Sequence, residues 1–175
     1  MISKADKKDI PELVRLINSA YRGDESRKGW TTEADIIDGD KRTDEQILST
    51  LIARDGSVIL KYSEEDKISG CVHLEDQNGK LYLGMLSVSP VMQGKNIGKK
   101  LLLASEEYAA KKQFDHIVMT VISVRQELIS WYEKHGYKKT GETKPFPSDD
   151  KFGSPKQPLE FVVLEKQMDE RTFFD

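Results

Sequence analysis

Val88-Ser89-Pro90-Val91-Met92-Gln93-Gly94-Lys95-Asn96-Ile97-Gly98-Lys99-Lys100-Leu101-Leu102 is the stretch that decides the fold. The residues before it, Lys80–Val88, are a strand-like run, and Pro90 marks its end. Beyond Gln93–Gly98 the apolar residues Ile97, Leu101, Leu102 and Ala109 recur at helical spacing, which predicts a helix from Gly98 to about Lys112. A strand therefore turns through a glycine-bearing loop straight into a helix. The first N–H groups of a helix lack intrahelical partners, and its dipole is positive at that end. Glycines let the backbone approach a phosphate closely, and Lys95, Lys99 and Lys100 add local positive charge. Such a start suits a pyrophosphate. It is equally what a solvated helix start looks like, and these residues alone leave both readings open. The loop is not a Walker A loop, because Gly-Lys-Ser/Thr is missing, nor a dinucleotide fingerprint, because no Gly-x-Gly-x-x-Gly occurs.

Outward from this block, Phe114–Val121 reads as a β-branched strand and Leu128–His135 as a helix stopped by Gly136. Tyr137–Thr140 and Leu159–Lys166 read as closing strands, with a loop bearing Pro, Asp and Gly, Lys144–Pro158, between them and near the site. Upstream, Ser57–Tyr62 and Lys67–Leu74 are strands joined by short polar turns, which favours antiparallel pairing. A helix is expected over Asp9–Tyr21 with Asp9 as N-cap, and another opened by a Thr43/Gln46 capping box. Met1–Ala5 is a short first strand, and Arg22–Thr32 a polar, glycine-bearing loop. Two strands joined by a helical crossover must pair in parallel. The strands before Pro90 and after Lys112 are therefore expected to be parallel neighbours. No repeat or low-complexity tract interrupts the chain, and residues 1–175 are expected to form one domain.

The loop block resembles the acetyl-CoA signature of the GNAT superfamily of N-acetyltransferases, Gln/Arg-x-x-Gly-x-Gly/Ala after a strand ending Val-x-Pro. Val88-Ser89-Pro90 matches the strand end, and Gln93, Gly94, Lys95, Ile97 and Gly98 match the loop. Asn96 stands where the family usually has its middle glycine; Asn is among the residues that most readily adopt unusual backbone angles. A second segment, Trp131-Tyr132-Glu133-Lys134-His135-Gly136-Tyr137, resembles the family's Tyr-Glu-Lys-x-Gly-Phe/Tyr segment. Arg125 lies where the family often has an Asn, seven residues before that tyrosine. The wider chain is similar to one branch of the family in Ala20-Tyr21-Arg22-Gly23, Gly29-Trp30-Thr31-Thr32-Glu33-Ala34-Asp35, Arg125-Gln126-Glu127-Leu128, Thr140-Gly141-Glu142 and Pro145-Phe146-Pro147. That likeness implies no particular substrate.

The resemblance implies an α/β (α+β) fold with one mixed, mainly antiparallel sheet flanked by helices on both faces, whose parallel strands splay apart where pantetheine inserts. It implies direct transfer of an acetyl group from acetyl-CoA to an amine. Leu86, Ser87 and Val88, followed by Gln93, Gly94, Lys95, Asn96, Ile97, Gly98 and Lys99, are the implied cofactor contacts. Backbone N–H groups around Leu86–Val88 are candidates to stabilise the oxyanion. Tyr132 is the implied acid that protonates the departing thiolate; its alternative is an aromatic packed on a helix face. For the general base, Glu33, Glu75 and His73 are candidates, beside a water chain. Trp30, Thr31, Glu33 and Phe146 are the expected acceptor pocket. The acceptor is expected to be a small-molecule amine. A protein lysine or N-terminal amine and a non-catalytic acyl-CoA-binding module are the competing readings.

Composition narrows the partners. The chain has 175 residues, a net charge of −3 and 37% hydrophobic residues. It has no strongly basic footprint, so neither nucleic acid nor an anionic membrane is an expected partner. The one cysteine, Cys71, lies in an apolar run and reads as a core residue, and no Cys/His cluster predicts a metal. The first nine residues carry no apolar stretch, and no span of membrane length occurs, so the expectation is a soluble cytoplasmic protein. A homodimer remains an option.

Overall fold

The computed structural model describes residues 1–147 and 149–169. In chain order the elements are β1 (Ile2–Lys4), α1 (Ile10–Tyr21), β2 (Ile37–Asp38), α2 (Glu45–Ala53), β3 (Ser57–Glu64), β4 (Lys67–Gln77) and β5 (Lys80–Val88). They continue with α3 (Ile97–Lys111), β6 (His116–Ile122), α4 (Gln126–Lys134), β7 (Lys138–Pro145), β8 (Ser154–Pro155) and β9 (Glu160–Gln167). The main sheet runs β1-β3-β4-β5-β6-β9-β7, and β2 pairs with β8 in a separate ribbon. Every pairing in the main sheet is antiparallel except β5 with β6. This is the mixed α/β architecture the sequence implies.

The alternation of β3 and β4 explains why helices cover both faces. Leu60, Tyr62, Val72 and Leu74 point to the side where Leu101, Leu102 and Ala109 of α3 and Ile129 and Tyr132 of α4 pack. Ile59, Ile68 and Cys71 point to the other side, against Leu13, Ile17 and Ala20 of α1 and Leu48 of α2. Burial of each large aliphatic side chain in these cores contributes about 1.5–3 kcal/mol. Helix α3 lies very close to β4. A Cβ on Gly70 would sit 2.8 Å from Ile97 Cγ2 and 2.9 Å from Leu101 Cδ1, so glycine is required there for the helix to dock.

Two helix starts differ from the sequence reading. Asp9 does not cap α1 through its side chain; a 3₁₀ turn over Lys7–Asp9 comes first, capped by Asp6. The Asp9 carboxylate instead accepts from Lys61 Nζ at 2.9 Å and from the Asp6 N–H at 2.9 Å. An ion pair from the neighbouring strand has outcompeted the helix end. Asp44 rather than Thr43 caps α2, accepting from the Ile47 N–H at 2.8 Å. Thr43 is buried, and its hydroxyl has no partner among the described residues. The stretch expected as a loop, Lys144–Pro158, is not all loop: β7 runs on to Pro145, and a 3₁₀ turn at Asp150–Phe152 and strand β8 follow, while Ser148 lies outside the described residues.

The feature that makes a site is the parting of β5 from β6. Their register contains only Leu81↔Ile117 and Tyr82↔Val118. Beyond Tyr82, β5 bulges: Cys71 faces Ser87 and His73 faces Gly84, so Val72 alone opposes Met85 and Leu86. Met85 takes φ 50° at that point. The bulge turns β5 toward β4 and leaves its other edge unpaired.

Candidate active site

Residues of a strand alternate their peptide groups between its two edges. The Ser89 N–H donates to Ser69 O at 2.9 Å, so residue 89 faces the β4 side. Leu86 and Val88 face the opening, and their carbonyls accept from side chains there. Tyr21 Oη donates to Leu86 O, and Gln93 Nε2 donates to Val88 O at 3.3 Å. The N–H groups of Leu86 and Val88 belong to the same edge.

Two cavities open along this cleft. The first, about 230 Å³, is lined by Leu86 and Val88, by Gln93, Gly94 and Asn96 to Lys99 of the loop and helix start, and by Trp30, Thr31, Trp131 and Tyr132. Its floor is the N-terminus of α3. Asn96, the N-cap, sits in the left-handed region at φ 63°, and no side chain caps the helix. Gly94 holds φ 89°, where an L side chain is strained. The loop thus leaves the first N–H groups of a 15-residue helix without a protein cap, beside Lys99. That donor set fits a pyrophosphate. Gln93 also fastens the cavity from above, since its Oε1 accepts from the Trp30 N–H at 2.8 Å and its Nε2 donates to Thr31 Oγ1 at 2.9 Å. The side chain clasps the 30–31 segment over the loop. Ser87 and Lys95 do not line the cavity. Ser87 is buried and donates to Met85 O at 3.0 Å, and Lys95 lies 3.7 Å from Met92 Sδ.

The second cavity, about 350 Å³, lies between the splayed strands and Phe146, Pro147, Asp149, Phe152 and Gly153, with Arg22, Glu33, Arg42 and Arg125 in its walls. Tyr21, Leu86, Leu128 and Tyr132 line both cavities, so the two meet there. Tyr132 is buried, and desolvation, followed by the neighbouring Tyr21, raises its pKa well above the ordinary phenol value. It stays protonated at neutral pH, and among the described residues nothing hydrogen-bonds its hydroxyl. Burial likewise pushes Tyr21 up to about 12. Glu33 is clamped: Arg22 Nε donates to Oε1 at 3.0 Å, and Arg125 Nη1 to Oε2 at 3.2 Å. Arg125 Nη2 also donates to Thr31 O at 2.5 Å, which ties the second cavity to the clasped segment.

The model of the acetyltransferase (GNAT) domain matches residues 31–146. The chain belongs to the GNAT family. A sequence search of curated proteins finds no match. Among solved structures, the ribosomal-protein-S18-alanine N-acetyltransferase from Escherichia coli is similar at TM-score 0.71 and 12% identity, over 96% of this chain and 93% of that one. The PaiA N-acetyltransferase from Thermoplasma acidophilum, in complex with coenzyme A, is similar at TM-score 0.68 and 20% identity, over 95% and 98%. The yncA structure from Salmonella typhimurium, with its cofactor acetyl-CoA, is similar at TM-score 0.69 and 21% identity, over 97% and 94%. At these identities the likeness speaks for the fold.

Against the GNAT signature the expected residues separate into three groups. The loop residues other than Lys95 line the first cavity together with Leu86, Val88 and Tyr132, and Glu33 and Phe146 line the second. Trp30 and Thr31, expected at the acceptor pocket, lie instead along the first cavity, because the Gln93 clasp holds them there. His73 and Glu75 line neither cavity. His73 is buried beside Ser57 Oγ at 2.9 Å, and desolvation lowers its pKa; Glu75 pairs with Arg54 at 2.8 Å. Tyr21, Arg22, Arg42, Trp131 and Phe152 line the cavities although the sequence reading assigns them no role, Trp131 appearing there only as the head of the second family-like segment. Tyr21-Arg22 falls inside a segment similar to the family branch, and that likeness is the signal that could have found the pair. Among the described residues no cluster could hold a metal ion, and no helix is long and apolar enough to cross a membrane.

Proposed function

We propose that this protein transfers an acetyl group from acetyl-CoA directly to an amine of a small molecule, acting as one cytoplasmic domain over residues 1–175. The observation that carries the reading is the meeting of two cavities at Tyr132, one floored by an uncapped helix N-terminus and the other roofed. Acetyl-CoA bound in the first supplies the activated acetyl thioester. The N–H groups at the start of α3 hold its pyrophosphate, and Gly98 leaves room beside Trp131. The N–H groups of Leu86 and Val88, on the unpaired edge, offer donors to a developing oxyanion. Tyr132 holds its proton ready for the departing sulfur. Cys71 takes no part: it is 1% exposed, and burial pushes its thiol up to about 12, which argues for direct transfer over an acyl-cysteine intermediate.

The second cavity favours a metabolite over a protein chain. Its volume falls in the usual range for small-molecule sites, about 300–1,000 Å³. Its roof is fastened: Phe152 O accepts from Arg22 Nη1, β8 pairs with β2, and Phe146 lies 5.3 Å from Phe161, centroid to centroid. Glu33 is held as a counter-ion by two guanidiniums and is poorly placed to act as a base. The reading is tested by incubating purified protein and acetyl-CoA with a broad set of amines, following free CoA and the acetylated product by mass. Turnover of an amine with equal release of CoA is expected. Tight acetyl-CoA binding with no turnover of any amine would favour a non-catalytic acyl-CoA-binding module.

A further inference from the structure

The acceptor cavity is charged unevenly. Its titratable lining among the described residues includes three guanidiniums, of Arg22, Arg42 and Arg125, against the carboxylates of Glu33 and Asp149. Both Glu33 oxygens are already engaged by Arg22 and Arg125. Asp149 is exposed and caps the 3₁₀ turn, accepting from the Lys151 N–H at 2.9 Å. Arg42 is different, because among the described residues no carboxylate or carbonyl pairs with its guanidinium. Its charge reaches both neighbours: burial raises the Tyr21 pKa and Arg42 opposes that rise, while burial lowers the Arg22 pKa and Arg42 adds to the lowering.

Arg42 is also firmly mounted. The N–H groups of Arg42 and Thr43 both donate to Asn18 Oδ1, at 2.6 and 2.9 Å, and Lys41 O accepts from Arg22 Nη1 at 3.1 Å. Three consecutive residues are thus bound to α1 and its C-terminal neighbour, and the side chain is carried on a fixed backbone at the cavity wall. A preorganised, unpaired guanidinium in a cavity of net positive charge is a receptor for an oxyanion. Met119, Val121, Phe146 and Phe161 supply apolar wall, beside the hydroxyl-bearing Tyr82 and Thr120.

We propose that the acceptor is a small amine that also carries an oxyanion, a carboxylate or a phosphate, and that Arg42 recognises that group. This rests on the acetyltransferase reading above and narrows its substrate. The oxyanion pairs with Arg42, the apolar body lies against the phenylalanines, and the amine faces Tyr132 and Leu86. A polyamine brings only further positive charge into a positive site and is disfavoured.

Matched pairs test the proposal: L-amino acids against their α-amides, O-phosphoethanolamine against ethanolamine, and spermidine as the cationic control. Free CoA release gives kcat/KM for each. Binding is followed separately by calorimetry, with CoA present and each N-acetylated product as titrant. One of the two acidic series should exceed its neutral partners by about 10–10²-fold in kcat/KM, the usual strength of a charged hydrogen bond. Which series does so distinguishes carboxylate from phosphate. In Arg42→Gln that preference should collapse toward unity, and Arg42→Lys should recover part of it. Turnover without acidic preference, or with spermidine preferred, overturns the proposal and leaves the acetyltransferase reading standing. Selective binding of acidic products without turnover of any amine supports the oxyanion site and overturns the transferase reading. Neither binding nor turnover overturns both.

Discussion

Glu33→Gln should act on the stability of the fold and not on the chemistry. The carboxylate is shared by two guanidiniums at 3.0 and 3.2 Å, and the side chains of Arg22, Glu33 and Arg125 are 4%, 7% and 9% exposed. Removing one partner of a buried ion pair costs about 3–5 kcal/mol, because the remaining charge is left without compensation in a poorly solvated place. Glutamine keeps the shape and one acceptor oxygen, so the low end, about 3 kcal/mol, is the better figure. For a chain of this size each kcal/mol moves the melting temperature by about 2–4 °C, so the midpoint should fall by about 6–12 °C. Thermal melts by circular dichroism at pH 7 measure it, with urea titration as a second axis. Asp35→Asn is the control. It removes a shorter contact, Arg27 to Asp35 at 2.6 Å, but both side chains are largely exposed, and the melt should stay in place. If Glu33→Gln melts with the wild type, the two guanidiniums do not depend on that charge. If it melts with the wild type and also loses kcat, Glu33 is a base and not a counter-ion.

Three further substitutions probe the other parts. Gly98→Trp should abolish calorimetric binding of acetyl-CoA while the far-ultraviolet spectrum stays native; a Cβ there lies 3.6 Å from Trp131 inside the first cavity, and unchanged affinity would remove the cofactor from this loop. Tyr132→Phe should retain acetyl-CoA binding and lower kcat by about 10²–10⁴, the span of general acid catalysis, whereas normal kcat would assign the proton to water or another group. Asp9→Asn reports on pH: burial alone would raise the Asp9 pKa, but the hydrogen bonds from Lys61 and the Asp6 N–H outweigh it and lower the value. A lowered folded pKa gives stability that is present above the unfolded value and is lost as pH falls through the folded one. The variant should therefore be less stable than wild type at neutral pH, by urea titration, with the gap closing in acid; a constant gap would refute the assignment.

What could be read in the chain followed the range of the interactions involved. The strand, turn and helix around Val88–Leu102 are set by neighbours a few positions apart, so periodicity and Pro90 expose them, and the parallel pairing of β5 with β6 follows from the crossover they create. Strands β2 and β8 are two residues each; no alternation can be seen in so short a run, and their pairing brings position 37 to position 155. The capping of α2 failed by one residue because Thr43 and Asp44 are both good caps, and only the tertiary environment, which buries Thr43, decides between them.

The two departures from the family pattern, Asn96 and Arg125, separate these cases. Asn96 is a local problem: the loop needs a left-handed residue before α3, and Asn supplies φ 63° where glycine would otherwise stand. That role is readable from residue type alone. Arg125 is not, because its partners, Glu33 and Thr31, lie 92 and 94 positions away. Its guanidinium bonds across the cleft to Thr31, which Gln93 in turn ties to the loop before α3. Glu33, Arg125, Thr31 and Gln93 are thus linked one to the next by hydrogen bonds from the second cavity to the first. Substituting Arg125 should therefore disturb both cavities, although its neighbours in sequence belong to neither loop.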